Sequence, residues 1–292
     1  MCFSFSTKKS RSTFCRTTTL NNSVKLSGGN TVKKTLCAIA IVGLFTMSAM
    51  AEHTRTKGVP TLVKSTGPAK GKYVAHPSEV PPTVCSPTCL LYTGDNNPSS
   101  PDDNGFANEN TLLVPETTSW GVFVVPAGQT WTVDGLFIQT IADGYDGLDP
   151  SASTWTISTG VSEGDGGSVY ASGTSTAANT QFIPTGRFPF GFTEYSLKVK
   201  TIPTTGTNVL TAGTYWLTIV PQCTDSGNSS CSISQYYFDN TFGLNNYGPI
   251  QPADQSYFNS SYFGFDYANL CEVSSTGCQV LSFGVIGTGT LD

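Results

Sequence analysis

The segment EYSLKVK at residues 194–200 alternates polar and apolar side chains without a break. Successive side chains of a β-strand point to opposite faces of its sheet. The odd-numbered residues Tyr195, Leu197 and Val199 are therefore expected to face a core. The even-numbered residues, from Glu194 on, are expected to face water. The segment thus predicts a half-buried strand.

Similar short strands are predicted on both sides of this segment, separated by Gly, Asn, Asp and Pro. No stretch after residue 52 has the 3.6-residue apolar period of a helix. Many strands without helices predict a single antiparallel β-sandwich in residues 85–292, in the all-β class. The other predicted strands are Trp120–Val125, Thr130–Val133, Leu136–Ile141, Thr154–Ser158, Ser168–Ser172, Thr214–Val220, Ser234–Phe238, Tyr262–Tyr267 and Gln279–Ile286.

Residues 1–51 have the pattern of a cleavable signal peptide with a long polar leader. Lys33 and Lys34 precede the apolar run Leu36–Met47, and Ala49-Met-Ala51 supplies a small-x-small cleavage site. A retained membrane anchor is the alternative, but the run is shorter than the roughly 20 residues that a spanning helix needs. The sequence therefore predicts a secreted protein, extracellular or periplasmic, without a membrane span in the mature chain.

The mature chain is predicted to begin with a flexible linker at residues 52–84, rich in Pro and Lys and poor in large apolar side chains. Residues 52–292 hold eight Lys and Arg against all 20 Asp and Glu, a net charge of −12. So acidic a protein repels phosphate backbones, which argues against nucleic acid as a partner. Beyond Lys72, the cationic residues are Arg187, Lys198 and Lys200.

The six cysteines after residue 51 form three close pairs along the chain. An even number in an exported chain predicts disulfides, and six cysteines allow 15 connectivities. Nearest-neighbour pairing is the simplest of them. Zinc is the alternative, but the spacing within the second and third pairs fits the usual C-x₂-C or C-x₄-C patterns poorly. The six are Cys85, Cys89, Cys223, Cys231, Cys271 and Cys278.

Three phrases resemble a known group of proteins: WGVFVVPAGQTWTVDGL at 120–136, WTISTG at 155–160 and AGTYWL at 212–217. They are similar to uncharacterised secreted proteins of environmental bacteria, which often carry a C-terminal surface-sorting tail. The resemblance covers roughly residues 92–220 and implies a jelly-roll-like sandwich without assigned catalytic residues. This sequence lacks the tail, which argues against attachment to the cell surface.

Candidates for catalysis are few. GVSEG at residues 160–164 fits the G-x-S-x-G nucleophile motif, but a Gly-rich turn and a strand follow it instead of a helix. The motif also needs a later His, and the histidines are His53 and His76, so a hairpin tip is the expected structure. Among the carboxylates, Glu194 lies close to Arg187 and aromatic residues. The alternative for Glu194 is an exposed strand carboxylate, paired with that arginine or a nearby lysine.

Two acidic loops are candidates for binding calcium, the one cofactor that the sequence suggests. Calcium takes six to eight oxygen ligands, and both loops are rich in carboxylates, although neither has EF-hand spacing. The alternative is that Asp, Asn, Gly and Pro are there simply as turn residues. The candidate ligands are Asp95, Asn97, Asp102 and Asp103 in the first loop, and Asp143, Asp146 and Asp149 in the second.

Residues 236–267 are rich in aromatic side chains, which fill sandwich cores or, when exposed, stack on sugars. Together with the acidic, exported character, this predicts a non-catalytic extracellular module that binds a glycan or matrix component, or builds surface structure. The alternative is a secreted hydrolase that attacks a polysaccharide through carboxylates. The candidate ligand-binding residues are Arg187, Glu194, Tyr247, Tyr257 and Tyr262.

Overall fold

The computed structural model describes residues 61–63, 82–96, 104–143, 150, 152–224, 231, 235–252, 254–274 and 277–291. The predicted signal peptide and nearly all of the predicted linker lie outside these ranges, so both remain predictions.

Short strands make up most of the described chain. One short helix, α1 (Leu270–Val273), and two 3₁₀ turns, Ala177–Asn179 and Pro189–Gly191, accompany them. The strands are β1 (Thr61–Val63), β2 (Cys89–Tyr92), β3 (Asn104–Ala107), β4 (Asn110–Thr111), β5 (Thr117–Val125), β6 (Gln129–Asp143), β7 (Ala152–Thr159), β8 (Ser168–Thr176), β9 (Thr180–Pro184), β10 (Thr193–Lys200), β11 (Thr205–Gly206), β12 (Val209–Leu210), β13 (Gly213–Cys223), β14 (Gln235–Thr241), β15 (Tyr257–Ser260), β16 (Phe265–Asn269), β17 (Val280–Leu281) and β18 (Phe283–Leu291).

The strands form two sheets that pack face to face. The first has the order β1-β3-β14-β6-β10-β9, with β18 pairing with β6 and β2, β12 with β6, and β17 with β14. The second has the order β11-β8-β7-β13-β5-β15-β16, with β4 beside β13. The parallel pairing of β4 with β13 is the exception among antiparallel ones. The predicted antiparallel β-sandwich is confirmed, and its likeness to a jelly roll remains a prediction.

Strand β6 is the centre of the first sheet. Its first part pairs with β18 and its last part with β14, while β12 and β10 pair along the other edge. The predicted break between Thr130–Val133 and Leu136–Ile141 is wrong. The Asp-Gly dipeptide between them suggested a turn, but Gly135 pairs with Lys200 on one side and Ile286 on the other.

The predicted strand Tyr262–Tyr267 begins later than expected. A turn at residues 261–264 precedes it, and Gly264 adopts a φ of 82°, in the left-handed region that glycine tolerates best. This turn connects β15 to β16. The sequence did not predict β15. The predicted strand Gln279–Ile286 is also divided at Ser282, whose side chain donates a hydrogen bond to the carbonyl of Gly94.

Aromatic rings from both sheets meet in the main core. The ring of Phe123 in β5 lies 5.6 Å from that of Tyr215 in β13, and 6.4 Å from those of Trp131 in β6 and Phe283 in β18. Aromatic side chains bury large apolar areas, so this cluster ties the sheets together. Gly121 leaves the space that the Phe283 ring occupies.

All six cysteines form the nearest-neighbour disulfides that the sequence predicted. The bridges are Cys85–Cys89, Cys223–Cys231 and Cys271–Cys278. The paired cysteines are 4, 8 and 7 residues apart in the sequence. The bridges therefore fix turns rather than connect the sheets. The zinc alternative is thereby excluded for these cysteines.

Gly121→Ala is expected to destabilise the sandwich. A Cβ at this position would lie 2.5 Å from the Phe283 ring, and overpacking of a core typically costs about 1–3 kcal/mol. Gly213→Ala in β13 is the matched control, because the nearest atom to a Cβ there is 3.5 Å away. Urea denaturation measures both, and an equal effect of the two substitutions would contradict this account of Gly121.

Replacing both Cys223 and Cys231 by Ser is expected to lower the free energy of unfolding by about 2–3 kcal/mol. The bridge restricts the unfolded chain over a short loop, and both cysteines are buried. Denaturant titration gives the value, and mass spectrometry of a non-reduced digest checks the three pairings. Free thiols in the native protein would contradict the assignment.

Candidate functional site

The outer face of the first sheet is covered at the start of β10, contrary to the sequence expectation, while Lys198 is half-buried and Lys200 is exposed. The residues Leu197 and Val199 pack into the main core, so the even-numbered side chains of β10 lie on the outer face. Glu194 and Ser196 were expected to face water, but they are 0 % and 5 % exposed. Alternation indicates which face a residue takes, and it does not show that another segment covers that face.

A second, smaller core helps to form this cover. It contains Cys85 and Cys89, which precede and begin β2, together with Tyr92, Phe137 and Ile286. The rings of Tyr92 and Phe137 lie 5.4 Å apart. This packing fixes the segment before β2 over the outer face of the sheet, next to the buried end of β10.

A cavity of about 620 Å³ lies beside this second core, over β6, β9 and β10. Its walls come from the segment before β2, the end of β2, the outer faces of those three strands and the turn after β14. The lining is Pro82, Thr83, Val84, Asp95, Gln139, Gln181, Ile183, Pro184, Thr185, Arg187, Ser196, Lys198 and Asn245.

One arginine binds two carboxylates at the end of this cavity. Arg187 donates from Nε and Nη2 to the two carboxylate oxygens of Glu194, at 2.6 and 2.5 Å. Its Nη1 donates to Oδ1 of Asp95 at 2.8 Å. The bidentate pair matches the planar geometry of both groups, which makes it one of the stronger ion pairs available to a protein. Asp95 is far from the other two in sequence, so the cluster joins the end of β2 to β10.

A chain of hydrogen bonds continues from this cluster under the cavity. The Tyr92 hydroxyl donates to Asp95 Oδ1 at 2.5 Å, and Gln139 Nε2 donates to the Tyr92 hydroxyl oxygen at 3.2 Å. Ser196 donates to Gln139 Oε1 at 2.7 Å. Asn245 donates to the other Asp95 oxygen at 2.8 Å. The cavity floor is therefore a connected polar network with fixed side-chain orientations.

The ionisation of the network follows from its burial. Burial raises the pKa of Glu194, and the hydrogen bonds and charge of Arg187 oppose this rise without cancelling it. Burial lowers the pKa of Arg187, but Glu194 more than offsets that effect, so the guanidinium stays charged. Burial and then the charge of Asp95 raise the pKa of Tyr92 well above 10, which keeps its hydroxyl a donor.

The three charged groups differ in access from the cavity. The side chains of Arg187 and Asp95 are 24 % and 19 % exposed, whereas that of Glu194 is 0 % exposed. A ligand in the cavity can contact the arginine and the aspartate, but not the glutamate. Glu194 is therefore a positioning residue, which holds the guanidinium in place.

Of the predicted ligand-binding residues, the structure brings Arg187 and Glu194 together and places the tyrosines elsewhere. Tyr247 packs on the second core and lines a separate cleft with Trp131. Tyr257 belongs to an aromatic cluster on the other sheet. Tyr262 packs against the main core. The five do not form one site.

Of the predicted calcium ligands, Asp95 has a different role. Its oxygens accept hydrogen bonds from a guanidinium, a hydroxyl and an amide, which leaves it a partner of Arg187. Within the described residues, no group of three or more His, Cys, Asp or Glu side chains could hold a metal ion. Calcium remains a prediction for Asn97, Asp102, Asp103, Asp143, Asp146 and Asp149, whose side chains lie outside the described part.

The G-x-S-x-G motif forms the hairpin tip that its flanking glycines predicted. The backbone amides and carbonyls of Ser162 and Asp165 bond to each other between β7 and β8. Ser162 is exposed, and a strand follows where a nucleophile motif needs a helix.

Among the site residues that the sequence missed are four polar ones on the strands: Gln139, Gln181, Ser196 and Lys198. None belongs to a motif, and they meet because β10 pairs with β6 on one side and β9 on the other. The signal that the sequence did offer was Arg187 close to Glu194 at a strand start.

A scan against protein-family models found no match, and a search of curated proteins found none either. Among the residues that the structure describes, no helix is both long and apolar enough to cross a membrane.

Replacing the arginine is expected to make the protein sensitive to pH through Glu194. Arg187→Met leaves a buried carboxylate without its cation, a change that typically costs roughly 3–5 kcal/mol. The folded-state pKa of Glu194, already raised, then rises further above its unfolded value of about 4.3. A carboxyl with a raised folded pKa stabilises the fold below the unfolded pKa, and that stabilisation is lost as pH rises through the folded pKa. The variant should therefore be less stable at pH 8 than at pH 4.

The matched control is the double variant Arg187→Met, Glu194→Gln, which keeps Asp95 and removes the titrating group. Chemical denaturation at both pH values should show a much smaller pH dependence for the double variant than for the single one. Equal pH dependence in the two proteins would show that Glu194 is not the group responsible.

Proposed function

We propose that this chain is an extracellular, non-catalytic module that binds a glycan in the cavity over β10. The observation that carries the proposal is the preorganised polar floor of the cavity, from Arg187 and Asp95 to Gln139 and Ser196. Fixed, convergent polar groups provide orientation and specificity in ligand pockets. They also reduce the ordering cost of binding.

The chemistry of the lining suits sugar hydroxyl groups, which donate and accept hydrogen bonds. Arg187 and Lys198 supply donors, Asp95 supplies acceptor oxygens, and the amide of Gln181 supplies both. Ile183, 50 % exposed, adds an apolar surface beside them that suits the C–H face of a sugar ring. An apolar ligand would leave this lining without partners, which disfavours it.

An extracellular place for this module is supported by its disulfides. All three bridges lie in the sandwich domain, and such bonds persist chiefly in oxidising compartments. The predicted signal peptide points the same way, and it rests on the sequence alone.

The alternative is the carboxylate-dependent hydrolase, which one observation favours: the raised pKa of Glu194 is a property of general acids. A general acid must reach the glycosidic oxygen, however, and the Glu194 side chain is 0 % exposed. Its oxygens are also held by Arg187. The arrangement therefore supports binding over cleavage.

A glycan array with the purified protein tests the proposal. Gln181→Ala should weaken binding to the glycans found by about tenfold, because it removes a wall of the cavity without touching the buried network. Gln255→Ala is the matched control, since it lies at an exposed position before β15. Equal binding by all three proteins would place the site elsewhere, and release of reducing ends from a bound polysaccharide would favour the hydrolase.

A further inference from the structure

The cations of the sandwich domain are gathered at one strand. Beyond Lys72 the sequence has 19 acidic residues and three basic ones. Of these three, Lys198 and Lys200 lie in β10, and Arg187 lies in the loop before it. In so acidic a domain, this placement gathers the available cations on the outer face of β10, beside the carboxylates of Asp95, Glu194 and Asp134.

The two lysines connect the cavity to a neighbouring hollow of about 270 Å³. Lys198 and its cross-strand partner Gln181 line both spaces. The hollow, but not the cavity, is also lined by Lys200, Asn179 and Asp134. We name the cavity and the hollow together the β10 groove. Residues two apart in a strand project from the same face at a spacing of about 6.7 Å, so the two ammonium groups follow each other along the groove.

Neither lysine is neutralised within the described part of the chain. No ion pair involves Lys198 or Lys200 there, whereas Arg187 holds two carboxylates. Within the described residues, the Lys198 ammonium donates a long hydrogen bond, 3.5 Å to the carbonyl of Val84. The division of charge suggests a division of roles: the neutralised arginine suits hydroxyl groups, and the free lysines suit anions.

We infer that the glycan bound in the β10 groove is acidic, with carboxylate or sulfate groups placed at Lys198 and Lys200. This inference rests on the proposed function and specifies its ligand. The rest of the domain is strongly negative and would repel a densely charged anion. The ligand must therefore carry widely spaced negative charges. An oligosaccharide with at most one anionic group per sugar fulfils that condition, whereas a nucleic acid carries a charge about every 1.7 Å of duplex.

Titration calorimetry with oligogalacturonate tests the inference, with its methyl ester as the neutral ligand of the same shape and a sulfated galactan oligomer as the second anionic ligand. Lys198→Gln and Lys200→Gln should each weaken binding of the anionic ligand about tenfold, and weaken the binding of the ester much less. The two anionic ligands decide between carboxylate and sulfate.

Two aspartate variants test the opposite change, the removal of a negative charge instead of a positive one. Asp134→Asn removes a negative charge from the hollow and should strengthen binding of the anionic oligomer several-fold. Asp266→Asn makes the same charge change at an exposed position in β16, on the other sheet, and should leave affinity unchanged. Unaltered melting temperatures establish that each variant is folded.

The outcomes separate the two levels of the proposal. Equal affinity for the ester and the acid, or equal effects of the two aspartate variants, would overturn the acidic ligand and leave glycan binding in place. Binding of none of these oligomers, together with an empty glycan array, would overturn the proposed function as well.

Discussion

The first sheet depends on the need of β6 for hydrogen-bond partners along both of its edges. It is the longest strand, and a buried backbone group without a partner costs free energy comparable to a lost hydrogen bond. No single neighbour is long enough to satisfy either edge. Strands β18 and β14 therefore share one edge, and β12 and β10 share the other. The same pairing places Gln139 opposite Ser196 and so builds the cavity floor.

The charged cluster shows how the fold holds a carboxylate out of water. A buried carboxylate without a cation would be strongly destabilising, and the attraction of Arg187 offsets much of the cost for Glu194. Such pairs often contribute little net stability compared with apolar residues, so their value lies more in geometry. Here the pair orients a guanidinium and, through Asp95, fixes the end of β2 over the sheet. A rigid floor is what a binding cavity requires, and flexible surface charges would not provide it.

The sequence predicted the class of fold well because period-two alternation and cysteine spacing are local signals. The strands around Leu197 and Trp216 and all three disulfides follow from them. What covers a sheet is not local: Glu194 is buried because residues distant in sequence pack over β10. Strand β9, mostly exposed at the sheet edge, has no apolar face that would predict it. For the site, the sequence identified Arg187 and Glu194. It made Asp95 a calcium candidate because Asp95 lies in an acidic loop, and an ion pair that spans 92 residues leaves no local signal.

The pairing of β6 with β18 has a consequence for how the molecule reaches its native state. A hydrogen bond from Thr290 to Thr130 closes a loop of 160 residues. Chains whose contacts are so distant fold slowly, since the entropy of closing the loop is lost before the contacts form. Until β18 arrives, β6 presents an open edge along its first part, and such edges pair readily with other chains. Pairing of β18 with β6 therefore covers this edge and prevents self-association through it.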